Sequence, residues 1–100
     1  MKTIPFETKE YNNEELETKF INEFITLRKH YRISQKKLGA LSNIAQPVIA
    51  RIESGSADPR IMTLIKLLSP LGKTIKIVDI EEPHNKILDE LNKVYGANLR

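Results

Sequence analysis

The chain has 100 residues, of which 40% are apolar and 29% charged, with a formal net charge of +3; this length supports one compact domain with a modest core. It has no cysteine, which excludes disulfides, thiolate metal sites and cysteine nucleophiles and is compatible with a reducing compartment. No apolar run reaches the length of a membrane span and MKTIPFETKEY lacks the apolar stretch of a signal peptide, so the expected location is cytoplasmic.

Residues 1–10 show no period, and residues 1–12 read as an N-terminal arm. Asn12 is a good N-cap, Glu15 can complete a capping box, and Tyr11 and Leu16 occupy the positions of a hydrophobic staple. Leu16, Phe20, Ile21, Phe24, Leu27 and Tyr31 then recur at helical spacing, which predicts a long amphipathic helix to about Tyr31. Phe20, Phe24 and Tyr31 are expected in the core. Ser34 can cap a second helix, Gln35 to Leu41 or Ser42. Asn43 suits a left-handed turn position. A third helix is predicted from Gln46 to Glu53. Pro47 does not oppose it, because in the first turn the missing N–H has no intrahelical partner and the fixed φ is already helical. Gly55 ends it.

Asp58 and Pro59 read as the N-cap and first residue of a fourth helix, Pro59 to about Leu71, with Met62, Leu64, Ile65, Leu67 and Leu68 on its apolar face. Thr74 to Ile80 is β-branched and partly alternating, which predicts a strand. A lone strand needs a pairing partner for its backbone. Glu82-Pro83 opens a last predicted helix, striped by Ile87, Leu88, Leu91, Val94 and Tyr95. The expected organisation is an arm (1–12), a helical domain (13–72) and a C-terminal strand and helix (73–100). His30 and His84 are isolated. No catalytic group, metal site or cofactor is expected, since glycine-rich phosphate loops, metal-ligand spacings and acid–base clusters are all missing from the sequence.

Two short helices joined by a tight turn and braced on both sides form a helix-turn-helix. In that unit the second helix enters the DNA major groove while the first crosses the backbone. The charge distribution agrees. Residues 28–60 carry seven Lys/Arg against two acids, whereas residues 1–27 carry three lysines against six glutamates. The positive charge is thus concentrated where an anionic partner would need it. Gln46, at the start of the second helix, can pair with adenine through two hydrogen bonds, and Arg51 can read guanine or hold a phosphate. Pro47 and Ala50 can offer apolar contact to a thymine methyl. Gln35, Lys36, Lys37 and Arg60 are the expected phosphate contacts.

Ser34-Gln35-x-x-Leu38-Gly39, followed by Asn43-Ile44-Ala45-Gln46-Pro47-Val48-Ile49-Ala50-Arg51-Ile52-Glu53-x-Gly55, resembles the XRE/Cro-C1 family of helix-turn-helix repressors over about residues 24–72. The resemblance implies a mainly α, five-helix lambda-repressor-like fold, here with an N-terminal extension and a short C-terminal strand plus helix. It also implies an ion pair between Arg28 and Glu53. Three positions depart from the family pattern. Ala45 stands where Ser or Thr usually caps the recognition helix, a loss of about 1 kcal/mol. Ala50 replaces a frequent serine. Gly39 replaces a common alanine, which costs helix stability but permits close packing.

The run Asp58-Pro59-Arg60 through Leu64-Ile65-Lys66-Leu67-Leu68, with Leu71-Gly72-Lys73-Thr74-Ile75-Lys76-Ile77-Val78, is similar to HigA-type antitoxins. That resemblance implies a homodimer that binds double-stranded operator DNA, neutralises a RelE/HigB-like ribonuclease toxin and represses its own operon. The alternative is a stand-alone repressor of the same family without a toxin. Ile75, Ile77 and Val78 in the predicted strand, and Leu88, Leu91 and Tyr95 in the last helix, are then the candidate dimer or toxin contacts. Two recognition helices about 34 Å apart would read half-sites one turn apart.

Overall fold

The structure, a computed structural model, describes residues 11–80. Helix α1 spans Asn13–His30, α2 Gln35–Ser42, α3 Gln46–Glu53 and α4 Ile61–Leu68, and a single 3₁₀ turn, Ser69–Leu71, completes the order. The described residues are therefore mainly helical, with four α-helices.

The ends follow from local chemistry. The Asn12 side chain accepts hydrogen bonds from the backbone N–H of Glu14 and Glu15, at 3.0 and 3.1 Å, and so starts α1. Ser34 does the same for α2, accepting from Lys37 N–H at 3.0 Å. Asn43 closes α2 in the left-handed region, φ 60°. After α3, the Gly55 N–H donates to the Ile52 carbonyl and the Ser56 N–H to that of Arg51. This double closure needs a left-handed residue at position 55, and glycine there, φ 79°, takes it without strain.

Phe24 from α1, Leu38 from α2, Ile49 and Ile52 from α3, Leu67 and Leu68 from α4, and Leu71 form the buried core. Leu27, Ile33, Ile44 and Ala57 pack around it. Burying each large apolar side chain contributes roughly 1.5–3 kcal/mol. Helix α3 is clamped between α1 and α2, while α2 also packs on α4 and the 3₁₀ turn. The most buried stripe of α3 thus faces inward and its opposite face stays open.

Five expectations are corrected. Residues 73–80 form no strand. Among the described residues nothing supplies the paired backbone that a strand requires. Helix α4 begins at Ile61 rather than Pro59, and Arg60, not Asp58, occupies the N-cap, with no side-chain cap bond. It also stops at Leu68 rather than Leu71. Pro70 lacks the N–H that would continue the ladder, and the chain tightens into 3₁₀ geometry. Tyr31 is 47% exposed and lies edge-on to His30, so it is not a core residue. The predicted arm up to residue 10, and the predicted last helix with Leu88, Leu91 and Tyr95, lie outside the described residues. Within the described residues the five-helix count falls to four.

Candidate nucleic-acid interface

The α2–α3 turn is held from below by two residues. Ser42 is buried, donates through Oγ to the Leu38 carbonyl at 2.7 Å and accepts from the Ile44 N–H at 3.3 Å. Gly39 lies so close to the turn that a Cβ there would meet the Ile44 carbonyl oxygen at 2.8 Å. The alanine common at this position would not fit without a shift. Sequence reading placed Ser42 at the end of the second helix but missed its role in bracing the turn. Its signal is a small hydroxyl in the last turn of a helix, directly before an asparagine that turns left-handed. Ala45 stands at the N-cap of α3 without a side-chain bond, and Pro47 lies in its first turn.

A chain of hydrogen bonds links the core to the exposed end of α3. Arg28 donates to Glu53 twice, from Nε to Oε2 at 2.7 Å and from Nη2 to Oε1 at 2.8 Å. Its Nη1 donates to the Ile33 carbonyl at 2.8 Å, tying the α1–α2 connection to the same group. Gln35 Nε2 donates to Glu53 Oε1 at 2.9 Å, and Gln46 Nε2 donates to Gln35 Oε1 at 2.8 Å. The side chains of Arg28 and Glu53 are only 9% and 7% exposed. Burial by itself would raise the Glu53 carboxyl, but hydrogen bonds from Arg28 and Gln35, with the charges of Arg28 and Lys29, outweigh it and hold the group below its ordinary value. The bond to Glu53 likewise raises Arg28. The pair is fully ionised at neutral pH.

Gln46, Pro47 and Arg51 are exposed on α3, and Ala50 is half-buried. Lys36 and Lys37 are exposed in the first turn of α2, and Arg60 is exposed at the start of α4. Gln35, expected at a phosphate, has its Nε2 donating to Glu53 and its Oε1 accepting from Gln46. One N–H of its amide remains. Ile75, Ile77 and Val78 are 40%, 96% and 72% exposed, and Ile61 and Met62 in the first turn of α4 are 69% and 57% exposed. Among the described residues no group of His, Cys, Asp and Glu is placed to hold a metal ion, and no helix is long and apolar enough to cross a membrane.

A pair of short helices set around a braced left-handed turn, the second presenting a polar face beside a basic first turn, defines a helix-turn-helix DNA-binding unit. The helix-turn-helix family model matches residues 25–78. An "Uncharacterized HTH-type transcriptional regulator" of Haemophilus influenzae is 49% identical over 80 residues, covering 75% of this chain and 82% of the relative. A chain of the "Toxin-Antitoxin module from Streptococcus pneumoniae" superposes with a TM-score of 0.61 at 38% identity, covering 72% of this chain and 84% of that one. The chain belongs to the XRE-type helix-turn-helix family of transcriptional regulators.

Proposed function

We propose that the protein is a sequence-specific DNA-binding antitoxin: a cytoplasmic homodimer, without catalytic activity of its own, that represses its operon and neutralises a RelE/HigB-like ribonuclease toxin. The observation that carries the DNA half is the hydrogen-bond chain ending in Gln46. It fixes an exposed amide at the N-terminus of α3, the end that reaches base edges in this motif. Arg51, one turn further on and exposed, supplies a guanine or phosphate contact, and Lys36, Lys37 and Arg60 supply positive charge for the backbone.

The toxin half is supported by the likeness to a chain of a toxin–antitoxin module. It is also supported by charge. Along α1, Glu14, Glu17 and Glu23 are all exposed, and a ribonuclease that grips RNA is usually basic. The exposed segment 75–78 offers backbone and apolar side chains for pairing across a two-fold axis or for adding to a partner's sheet. A stand-alone repressor is the second reading, favoured by the Haemophilus relative, which is described only as a transcriptional regulator.

The deciding experiment is purification of the full chain from its host at endogenous level, with the mass of whatever remains bound, followed by binding to its own upstream DNA. A small basic ribonuclease in stoichiometric amount establishes the antitoxin. A bare dimer that still binds the DNA establishes the stand-alone repressor. No sequence-specific binding in either form sinks both.

A further inference from the structure

We infer that Glu53, which is turned inward toward Arg28, sets whether Gln46 reads adenine or guanine. The inference rests on the DNA-binding reading above and concerns the polarity of one side-chain amide.

A glutamine amide has an acceptor end and a donor end of nearly the same shape, so shape alone does not say which end faces the groove. Here chemistry decides. The Glu53 carboxylate, held by two bonds from Arg28, can only accept. The Gln35 atom 2.9 Å away must therefore be its nitrogen. That places the Gln35 oxygen on the far side, 2.8 Å from Gln46, whose nitrogen must then face it. Each orientation forces the next.

The consequence appears at the open end. One N–H of Gln46 is engaged by Gln35, leaving one N–H and the whole Oε1. One donor beside one acceptor matches adenine, which offers an acceptor at N7 and a donor at N6. Reversed polarity would engage Oε1 and leave two N–H donors, the match for guanine, which offers acceptors at both N7 and O6. Glu53 is thus a positioning residue for specificity that never touches DNA.

The test is selection from a random duplex library, with enriched sequences counted for the full-length protein and its variants. Gln46→Ala first identifies the base pair that Gln46 reads, as the position whose preference disappears. If the wild type enriches no sequence, the DNA-binding reading fails and this inference falls with it. If it enriches a sequence, the inference is tested separately. The wild type should prefer adenine over guanine at that position by about tenfold to a hundredfold. Gln35→Met keeps the Arg28–Glu53 pair but frees Gln46 to turn over, and the adenine-to-guanine ratio should fall to within about threefold. The exchange Arg28→Glu with Glu53→Arg puts a donor where the carboxylate was and should move the preference toward guanine. Guanine in the wild type, or an unchanged ratio in Gln35→Met, overturns the inference, as does retained adenine in a folded exchange variant. If circular dichroism shows the exchange unfolded, Gln35→Met decides alone.

Discussion

Arg28 in α1 and Glu53 at the end of α3 meet across 25 positions of sequence through two parallel hydrogen bonds of 2.7 and 2.8 Å. This fork joins the long helix to the helix that carries the reading residues. Because both side chains are almost fully buried, breaking the pair costs more than making it gains. Removing one partner leaves an uncompensated charge, at a cost of about 3–5 kcal/mol. Arg28→Ala should therefore destabilise the chain by that amount in urea unfolding. The double change Arg28→Met with Glu53→Leu replaces both charges with apolar groups and should cost much less than either single change. Equal losses in single and double variants would show that packing of the arginine stem, not the charge pair, dominates.

The same pair makes stability depend on acid. Glu53 is held below its ordinary value of 4.5 when folded. A depressed carboxylate contributes stability that is complete above its unfolded value and is lost as pH falls through the folded value. Unfolding free energy should thus be insensitive to this group near neutrality and decline below about pH 4.5. In Glu53→Gln that part of the decline should be absent, though the variant starts from lower stability. Urea titrations at several pH values read both slopes, and parallel acid declines in the two proteins would remove Glu53 as the titrating group.

Much of this site is legible in the sequence, because it depends on local chemistry. Ser34 as a cap, Asn43 at a left-handed turn and Pro47 in a first turn are each dictated by a residue's own backbone preference. What is not legible depends on tertiary neighbours. Nothing in the spacing says that Gln35 bridges Glu53 and Gln46. Nothing in the period says that Tyr31, on the core stripe of α1, lies past the last packed turn. Residues 73–80 show the opposite failure. Their β-branched alternation is a preference that only a partner strand can satisfy, and the described residues offer none there.

Gly39 turns a helix-propensity argument around. In an open helix, alanine would be better than glycine by about 1 kcal/mol. Here the added Cβ would lie 2.8 Å from the Ile44 carbonyl oxygen, which belongs to backbone and cannot rotate away. Gly39→Ala should therefore lower stability by about 1–3 kcal/mol, the usual cost of overpacking. It should also weaken DNA binding, since the α2–α3 turn must open to admit it. A rise in Tm would mean that the turn shifts freely.

Binding to DNA should separate reading from gripping. Gln46→Ala should cost about 1–3 kcal/mol on the preferred sequence while leaving non-specific affinity and the salt slope unchanged. Lys36→Ala with Lys37→Ala should weaken all sequences alike and flatten the slope by about 1 for each phosphate no longer neutralised. For a dimer neutralising about six phosphates, the log–log salt slope should lie near −5. A flat response in the wild type would deny the basic first turn of α2 its role.

The exposed apolar segment after α4 carries the last expectation. Ile77 is 96% exposed and Val78 72%, so neither supports the folded monomer. Substitution at such positions normally changes stability by no more than about 0.5 kcal/mol. At concentrations low enough for both proteins to be monomeric, Ile77→Lys with Val78→Lys should accordingly leave the unfolding midpoint almost unmoved. If the segment pairs across a two-fold axis, buried lysines would break that pairing, and sedimentation should shift from dimer to monomer. Affinity for a two-half-site duplex should then drop far more than affinity for a single half-site, because two linked contacts gain from effective concentration. An intact dimer with both lysines present would place the two-fold contact elsewhere and leave 75–78 to a different partner.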